Sequence, residues 1–314
     1  MTTPRPVLAA ALAALAACAT PRTAAPPAPP GAEGVAQPAA PAPEPKIALA
    51  LGGGAARGFA HVGVIRVLEQ ERIPIDLVVG TSVGSLIGAI YAGDRDSFEL
   101  EWTAFQLERD DLFDFGIMNA LMGMGYAKGE KLEAFVRSKV KQESIEQLPV
   151  PYAAVATDLN WGTRVVLDRG PIARAVRASS AIPGVFEPVV HQGKMLVDGG
   201  LVDNVPIDVA RAKGADLVIA VDISENVGNT SIKNVLDVML QATNILWSEG
   251  TARARRDADV LVSPAVGDIG TLDFSQKKRA MQAGMDAARK AVPQIRAAIE
   301  AWKARHAVAG QGRG

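Results

Sequence analysis

The chain is poor in the residues that build disulfides, zinc sites and nucleic-acid surfaces. Its 314 residues include one cysteine, Cys18, and three histidines. A single cysteine excludes an internal disulfide and so few histidines leave little for a zinc site, so we expect no metal and no cofactor. The net charge is −1, no run of lysine and arginine stands out, and aromatic residues make up 5%. This composition argues against nucleic acid as a partner, because it offers neither a basic surface nor a base-stacking platform.

The apolar stretch near the start of the chain is too short to cross a membrane. Val7 to Ala17 are eleven residues that follow Arg5, which suits the apolar core of a secretory signal. The stretch ends in Leu-Ala-Ala-Cys, which resembles the lipobox of bacterial lipoproteins, in which the cysteine is lipidated. We therefore predict a lipoprotein signal peptide over residues 1–17, export to the bacterial cell envelope and a lipid anchor on Cys18, with Ala19 favouring the outer membrane. The alternative is an ordinary signal peptide cut near Ala17, with Cys18 incidental.

A segment rich in proline and alanine follows the cysteine. From Ala19 to Pro45, 9 of the 27 residues are proline and 9 are alanine. Proline removes hydrogen-bond donors and fixes φ, so this segment predicts an extended tether over residues 18–45. The remaining chain is ordinary in composition, with 48% hydrophobic and 21% charged residues overall, and predicts a folded domain over residues 46–305 with a sizeable core. Residues 306–314, which end in Gly-Gln-Gly-Arg-Gly, predict a disordered tail.

Short apolar runs alternate with longer helical patterns throughout the predicted domain. Runs such as Leu217 to Val221 are apolar at every position, which indicates a sheet covered on both faces. The alternation predicts a three-layer α/β/α sandwich with a largely parallel central sheet. The predicted strands are Lys46–Leu51, Ile75–Val79, Tyr152–Thr157, Thr163–Leu167, Met195–Val197, Leu217–Asp222 and Val260–Val262. The predicted helices are Gly58–Glu71, Ser82–Ala92, Ser97–Leu107, Gly129–Lys141, Ile172–Ser179, Pro206–Lys213, Ser231–Ser248 and Ser275–Ala304.

Two glycine-rich turns lie between a predicted strand and a predicted helix. The first turn is Gly52-Gly53-Gly54-Ala55-Ala56-Arg57-Gly58, and the second turn is Gly80-Thr81-Ser82-Val83-Gly84. A serine with glycines two residues before and after it, at a strand-to-helix corner, is the pattern of a nucleophile elbow. The first turn could offer backbone N–H groups to a developing negative charge. Together the turns predict a serine hydrolase, with Ser82 as a helix N-cap in a close-packed turn as the structural alternative.

Dinucleotide binding is the rival interpretation of the first turn. That fingerprint requires glycine at the sixth position and a carboxylate at the end of the next strand. The sixth position counted from Gly52 is Arg57, and the carboxylate of the next strand, Asp76, lies at its wrong end. The chain also lacks the Gly-Lys-Ser/Thr sequence of a phosphate loop. The sequence therefore disfavours a nucleotide site.

The base that activates Ser82 has to be identified among few candidates. The histidines fit poorly, because His306 lies in the predicted tail, His191 in a hairpin-like turn, and His61 on an apolar helix where a hydrogen-bonded core role is favoured. A carboxylate in a two-residue Ser–Asp dyad is the alternative. The candidates at strand ends are Asp158, Asp198, Asp203 and Asp222. Asp198 is favoured because it closes a short strand and precedes Gly199-Gly200, which permit a close approach of the backbone to a site; a turn-capping role for Asp198 is the structural alternative.

These motifs resemble the patatin-like phospholipase family of bacteria. The resemblance is carried by Gly52-Gly53-Gly54-x-x-Arg57-Gly58, by Gly80-x-Ser82-x-Gly84 and by Asp198-Gly199-Gly200, with further agreement in Ala156-Thr157-Asp158-Leu159 and in Ala178-Ser179-Ser180-Ala181-Ile182-Pro183-Gly184. It implies a Ser82–Asp198 dyad, an oxyanion hole on the first turn and hydrolysis of fatty-acyl esters without a metal. The extra alanine in Ala55-Ala56 departs from many members and blurs which N–H groups form the hole. Gly52, Gly53 and Gly54 are the predicted donors.

The sequence therefore predicts a lipid acyl hydrolase of phospholipase, lysophospholipase or esterase type. Its expected partners are a lipid acyl-ester substrate and, through the N-terminal anchor, a membrane. Arg57 either steadies the first turn or meets the lipid phosphate, and the structural role is favoured. The alternative from another class is a non-catalytic lipid-binding or envelope-scaffold lipoprotein that keeps the fold.

An apolar segment between Leu112 and Tyr126 follows neither the helical nor the strand period. It contains phenylalanine, methionine and leucine interrupted by Gly116, Gly123 and Gly125. Two interpretations remain open: ordinary core, which is slightly favoured because apolar runs are usually buried, and a pliable lid beside the serine.

Overall fold

The structure is a computed structural model and describes residues 43–114, 127–224, 232 and 235–311. Within these residues the strands are β1 (Ile47–Leu51), β2 (Leu77–Thr81), β3 (Tyr152–Asp158), β4 (Thr163–Leu167), β5 (Val189–His191), β6 (Lys194–Asp198), β7 (Leu217–Val221) and β8 (Val260–Val262). The α-helices are α1 (Phe59–Gln70), α2 (Val83–Asp94), α3 (Ser97–Gln106), α4 (Arg109–Leu112), α5 (Glu130–Lys139), α6 (Ile172–Ser179), α7 (Ile207–Ala212), α8 (Val235–Asp257) and α9 (Lys277–Gln311). The predicted signal peptide, nearly all of the tether, and most of the apolar segment, residues 115–126, lie outside the described residues.

The strands form one mixed sheet in the order β5-β6-β3-β2-β1-β7-β8, with β4 also paired to β3. Strands β1, β2, β3, β7 and β8 are mutually parallel, whereas β4, β5 and β6 join by antiparallel pairing. Strand β1 lies between β2 and β7, so the chain order reverses at this point of the sheet. Open α/β sheets place their sites at the carboxyl ends of the strands beside such a reversal.

Helices cover both faces of the sheet, as the apolar strands predicted. Along β1, Ile47, Leu49 and Leu51 belong to one buried cluster, and Ala48 and Ala50 belong to another. Since successive strand side chains point to opposite faces, the two clusters lie on opposite sides of the sheet. The predicted fold class, an α/β sandwich around a largely parallel sheet, is confirmed.

Helices α1 and α9, which lie far apart in the sequence, pack closely against each other. A Cβ on Gly63 of α1 would lie 2.0 Å from the Met281 carbonyl oxygen, and one on Gly284 of α9 would lie 2.0 Å from the Ala60 carbonyl oxygen. Glycine at these positions lets α1 and α9 pack backbone to backbone. Because α1 begins directly after the first turn, this packing also holds that turn in place.

Helix α9 continues to Gln311, which corrects the predicted start of a disordered tail at residue 306. His306 stacks on Trp302 with ring centroids 3.8 Å apart, and Trp302 is buried. Alanine favours helix and the glycines come only near the end, so the helix extends past the predicted boundary. In the part of the chain that is described, no helix has the length and apolar character needed to cross a bilayer.

Candidate active site

Ser82 occupies a sharp corner between β2 and α2. Its backbone adopts φ 55° and ψ −126°, a region that costs a non-glycine residue free energy and is held only by its surroundings. A Cβ on Gly80 would lie 2.3 Å from the Gly84 carbonyl oxygen, and one on Gly84 would lie 2.2 Å from the Leu51 carbonyl oxygen. Both flanking glycines are therefore required by close backbone contacts. The helix that follows Ser82 directs its amino terminus at the serine.

The pairing of β3 explains how Asp198 reaches Ser82. Along one edge of β3, Val155 pairs with Thr81 of β2, and the next residue, Ala156, pairs with Asp198 of β6. Strand β2 leaves this edge at the elbow, and antiparallel β6 occupies the edge beyond it. The last residue of β6 is thereby brought beside the first residue after β2, although 116 positions separate the two in sequence.

Ser82 and Asp198 are directly hydrogen-bonded. Ser82 Oγ donates to Asp198 Oδ2 at 2.6 Å, and Gly200 N donates to Asp198 Oδ1 at 2.8 Å. Both side chains are buried. Burial raises the pKa of the Asp198 carboxyl to about 7, although the hydrogen bonds from Ser82 and Gly200 act in the opposite direction. A carboxyl with a pKa near neutrality can exchange a proton with a serine hydroxyl at physiological pH.

The first turn lies against the serine and is anchored by distant residues. A Cβ on Gly53 would lie 3.1 Å from Ser82 Cβ. Gly52 N donates to the Val221 carbonyl oxygen at 3.0 Å, and Gly53 N donates to Asn204 O and to Asn204 Oδ1, each at 3.2 Å. Two of the three predicted oxyanion donors are thus already engaged.

The N–H groups that follow are placed differently. Among the described residues, none accepts a hydrogen bond from the N–H of Gly54 or Ala55. Ala55 has φ 48°, a left-handed conformation that suits glycine, and it lines a pocket together with Ser82. The extra alanine noted in the sequence is therefore part of the site wall.

The Arg57 side chain is enclosed by backbone carbonyl groups at the end of the first turn. Its side chain is fully buried, Nε donates to the Ile223 carbonyl oxygen at 3.0 Å, and Nη1 donates to the Ile269 carbonyl oxygen at 3.2 Å. A guanidinium enclosed by carbonyl groups holds the end of the first turn. It offers no exposed charge to a lipid phosphate.

His61 also supports the first turn. Its Nε2 lies 2.7 Å from the Gly52 carbonyl oxygen, and burial lowers the pKa of His61 to about 4. The ring is therefore neutral at physiological pH, and Nε2–H donates because the carbonyl can only accept. His191 lies in β5 and His306 lies in α9. Among the described residues, the Ser82 hydroxyl is hydrogen-bonded to Asp198 and to no histidine.

The glycines after Asp198 are required by contacts on both sides. A Cβ on Gly199 would lie 2.2 Å from the Val155 carbonyl oxygen, and one on Gly200 would lie 2.0 Å from Trp247 Nε1. Of the other carboxylates at strand ends, Asp158 lies 3.7 Å from Lys194 Nζ, Asp203 accepts from Arg164, and Asp222 accepts from Ser224 N. These three carboxylates have partners other than Ser82.

Three residues that the sequence did not identify position the pair. Ser179 Oγ accepts from Ser82 N at 2.9 Å and donates to the Val155 carbonyl oxygen at 2.5 Å. Thr157 Oγ1 donates to the Asp198 carbonyl oxygen at 2.8 Å. Asn204 holds Gly53, as described above. Ser179 and Thr157 fall inside stretches that the family resemblance had marked without a role, whereas Asn204 carried no signal.

An apolar pocket opens beside Ser82. The pocket is partly open to solvent. Its lining is almost entirely aliphatic and aromatic, and the hydroxyl groups that line it belong to Ser82 and Ser180. Ser180 Oγ has no hydrogen-bond partner among the described residues. The lining residues are Ala55, Phe59, Ser82, Val83, Leu86, Ile87, Leu107, Leu112, Phe113, Leu132, Ser180, Ile182, Phe186 and Phe274. Such a pocket suits a hydrocarbon chain whose carboxyl end lies at Ser82.

The apolar segment proposed as lid or core is described only at its start, residues 112–114. Leu112 and Phe113 are buried in the pocket wall, where Phe113 stacks on Phe186 with ring centroids 5.1 Å apart. After the segment, the chain returns to the same wall, since Ala127 N donates to the Val185 carbonyl oxygen at 2.7 Å. The methionines and glycines on which the lid hypothesis depends lie outside the described residues.

The chain matches the family model described as patatin-like phospholipase over residues 49–211, which include Ser82 and Asp198. It is 38% identical over 222 residues to an uncharacterized NTE family protein of Mycobacterium tuberculosis, covering 68% of this chain and 61% of that one. It is 39% identical over 179 residues to the lysophospholipase NTE1 of Mycosarcoma maydis, covering 56% of this chain and 10% of that one.

A solved structure supports the fold. The chain resembles VipD from Legionella pneumophila with a TM-score of 0.50 and 16% identity, covering 81% of this chain and 67% of that one. The curated relatives are longer proteins, of which this chain spans 61% in the mycobacterial case and 10% in the fungal one. With its elbow, its glycine-rich first turn and the family match across both, the chain belongs to the patatin-like phospholipase family.

Proposed function

We propose that this protein is a serine lipid acyl hydrolase in which Ser82 is the nucleophile and Asp198 is the base. The observation that carries the proposal is the 2.6 Å hydrogen bond from Ser82 Oγ to Asp198 Oδ2 at an apolar pocket. A nucleophile, a base of suitable pKa and an apolar binding site are the elements that acyl transfer needs.

The reaction proceeds in two proton-balanced halves. Asp198 accepts the Ser82 proton as Oγ attacks the ester carbonyl carbon, and it then passes that proton to the leaving oxygen as the ester C–O bond breaks. Ser82 now carries the acyl group. Asp198 next accepts a proton from water as the water oxygen attacks the acyl-serine, and the proton returns to Ser82 Oγ as the fatty acid leaves. The balance is one ester and one water converted to one acid and one alcohol.

The negative charge of the tetrahedral intermediate requires N–H donors. The predicted set was Gly52, Gly53 and Gly54, but the first two donate to Val221 and Asn204. We assign the donors to the N–H groups of Gly54 and Ala55, because neither has an acceptor among the described residues, Gly54 follows Gly53, which lies against Ser82, and Ala55 lines the pocket together with Ser82. Donors already oriented in the resting protein stabilise the charge without reorganisation.

The substrate class follows from the pocket and from the relatives. The pocket accepts an aliphatic chain and offers little polar contact beyond two hydroxyl groups. Several relatives carry the name lysophospholipase. We therefore propose fatty-acyl esters of phospholipids or lysophospholipids, reached in the bacterial cell envelope by a protein anchored through Cys18, with Ala19 favouring the outer membrane.

Hydrolysis of a fluorogenic long-chain acyl ester tests the proposal. We expect turnover by the wild type and a loss of about a thousandfold or more in Ser82→Ala. Ser138→Ala, an exposed serine on α5, is the matched control and should retain full activity. A fluorophosphonate should label the wild type and not Ser82→Ala. A folded wild type that binds lipid but neither hydrolyses ester nor takes the label would instead establish the non-catalytic lipid-binding alternative.

Incorporation of labelled fatty acid tests the anchor separately. Label should enter the wild type and be absent from Cys18→Ser. Recovery of the intact chain from the cytosol, with Met1 or Thr2 still present, would refute the proposed export.

A further inference from the structure

Helix α3 presents an aromatic face to solvent. Phe98, Trp102 and Phe105 are 67%, 54% and 42% exposed, and their spacing of four and three residues places them on one side of the helix. The opposite side, which carries Leu100 and Ala104, is buried. The Trp102 and Phe105 rings stack with centroids 6.5 Å apart. We call these three side chains the aromatic face.

The aromatic face adjoins the wall of the acyl pocket. Leu107, which follows α3 directly, lines the pocket, and Lys277 Nζ donates to its carbonyl oxygen at 3.0 Å. The same ammonium group lies 5.9 Å from the centroid of the Phe105 ring, and that of Lys278 lies 5.2 Å away. Phe274, three residues before Lys277, is also in the pocket wall. A surface at this position is continuous with the path that a lipid must take to Ser82.

We propose that the aromatic face docks the protein on the lipid–water interface of a bilayer. Tryptophan and phenylalanine beside lysine are the residues that enter the headgroup region, where the rings meet acyl chains and the ammonium groups stay wet. Docking does not depend on the proposed hydrolysis; delivery of a lipid from this surface to Ser82 does.

The size of the face favours a bilayer over a protein partner. An aromatic side chain buries about 150–250 Å² when it is fully enclosed, so three that are already partly covered offer a few hundred Å². A stable protein interface requires about 800 Å² from each partner. Partition into an interface has no such minimum, because each inserted side chain adds its own contribution.

The charges nearby favour a neutral membrane surface. Lys278 is exposed, but Lys277 pairs with Glu108 at 2.6 Å, and Glu99 and Asp96 are exposed on the same helix and at its N-cap. With acidic and basic groups both present, apolar insertion has to supply the binding. We therefore expect binding to phosphatidylcholine vesicles that changes little between low and high salt.

Tryptophan fluorescence locates the contact. The experiment uses the full chain with Cys18→Ser and Ser82→Ala, so that neither an acyl anchor nor turnover contributes, and vesicles of phosphatidylcholine brominated on the acyl chains. Trp102 and Trp161 are exposed, whereas Trp247 and Trp302 are buried. Added Trp161→Phe should leave strong quenching by the vesicles, and added Trp102→Phe should remove most of it. A protein that binds these vesicles without quenching of Trp102 would overturn the proposal.

Vesicle sedimentation measures the strength of docking in the same background. The triple change Phe98→Ser, Trp102→Ser and Phe105→Ser should lower the partition coefficient by about tenfold or more, and Trp161→Ser is the matched control. With Ser82 restored, the triple variant should hydrolyse a soluble short-chain ester at the wild-type rate, which shows that it is folded and separates failed docking from failed catalysis. Equal partition of the triple variant and the control would overturn the proposal.

Two further outcomes would assign the face to another occupant. A dimer of the wild type in vesicle-free solution that the triple variant fails to form would assign it to a second copy of this chain. Residues 21–41 of the tether can be deleted and the emission of Trp102 recorded without vesicles. A change in that emission would assign the aromatic face to the tether.

Discussion

The two glycine-rich turns look alike in the sequence but are held in different ways. The second turn is held largely by its own neighbours in the chain, since Gly80 lies against Gly84, and Ser85 N and Ser85 Oγ both donate to the Ser82 carbonyl oxygen. Two distant contacts add to this, because Ser82 N donates to Ser179 Oγ and Thr81 Oγ1 donates to the Asp203 carbonyl oxygen. The first turn is fixed by residues far along the chain, among them Asn204, Val221, Ile223 and Ile269.

The two halves of the proposed chemistry therefore depend on different parts of the sequence. A nucleophile needs one strained residue, which a short motif can specify. An oxyanion site needs N–H groups that do not already donate a hydrogen bond within the protein. Which N–H groups meet this condition depends on the acceptors that the rest of the fold places around them. Changes in the second turn and its carboxylate should therefore act on the chemical step directly, whereas changes around the first turn should act through its support.

The largest effect is expected at the pair joined to the second turn. Ser82→Ala and Asp198→Ala should each lower kcat by about a thousandfold or more, and the double variant should lose little beyond either single one, because the proposed mechanism uses the two groups as a unit. Rates with a soluble ester, with melting temperatures to verify folding, provide the measurement. His191→Gln should stay close to the wild type; a comparable loss there would return the base to a histidine.

A smaller loss is expected from the support of the first turn. Asn204→Ala removes the Oδ1 acceptor of Gly53 N and should lower kcat by about tenfold to a hundredfold, less than the direct loss of an oxyanion donor. Asn160→Ala, an exposed asparagine in the β3–β4 turn, is the matched control. If Asn204→Ala were as active as this control, the first turn would not need the Asn204 side chain to hold it in place.

The pH profile tests the carboxylate itself. In the proposed mechanism Asp198 must be ionised to accept the Ser82 proton, and burial raises its pKa to about 7. We therefore expect kcat/KM to fall about tenfold per pH unit below that value and to level off above it. A soluble short-chain ester keeps membrane binding out of the measurement. Activity that stays constant from pH 5 to pH 8 would remove Asp198 from the role of base.

His61, which lies beneath the first turn, should make the free energy of unfolding depend on pH. Burial lowers the pKa of His61 from 6.5 to about 4. As pH falls from 6.5 towards 4, the histidine is therefore protonated in the unfolded chain before it is protonated in the folded protein. This difference lowers the free energy of unfolding by about 1.4 kcal/mol per pH unit at most. Asp198, whose pKa is raised, acts with the opposite sign in this window.

Comparison with His61→Gln isolates the histidine, because Asp198 is common to both proteins and a glutamine amide can still donate a hydrogen bond. Denaturant unfolding at several pH values should show the variant gaining about 1 to 3 kcal/mol on the wild type between pH 6.5 and 4. A difference in free energy of unfolding that stays constant with pH would show that His61 is not buried neutral.

The smallest effect is expected at the two alanines of the first turn. Ala55 has φ 48° whereas Ala56 does not have a positive φ, so Ala55→Gly should be neutral or stabilising by up to about 1 kcal/mol and Ala56→Gly should be destabilising by about 0.5–1 kcal/mol. Thermal unfolding of the matched pair measures both. Equal destabilisation would show that the turn relaxes around Ala55.

Much of the fold was predictable from local pattern. Each predicted strand and helix is present in the structure, and α6 has the predicted ends, Ile172 and Ser179. Two boundaries lie beyond the predicted ones, since α8 continues to Asp257 and α9 continues to Gln311. The short β5 was missed because three residues carry no period and acquire strand geometry only by pairing with β6.

The α/β class, the glycine-flanked Ser82 and the Asp198-Gly-Gly motif could be recognised without a structure, because each depends on residues within a few positions of one another. The packed structure was needed to show that β6 pairs with β3 beyond the point where β2 ends, and that Arg57 is enclosed. It was also needed to show that Gly52 N and Gly53 N donate hydrogen bonds, whereas Gly54 N has no acceptor among the described residues. It also decided that the aromatic side of α3 faces solvent, whereas the helical period alone would allow either side to be buried. Hydrogen-bond partners and exposure are properties of the assembled surface, and the groups that settle them here lie up to 212 positions apart in the chain.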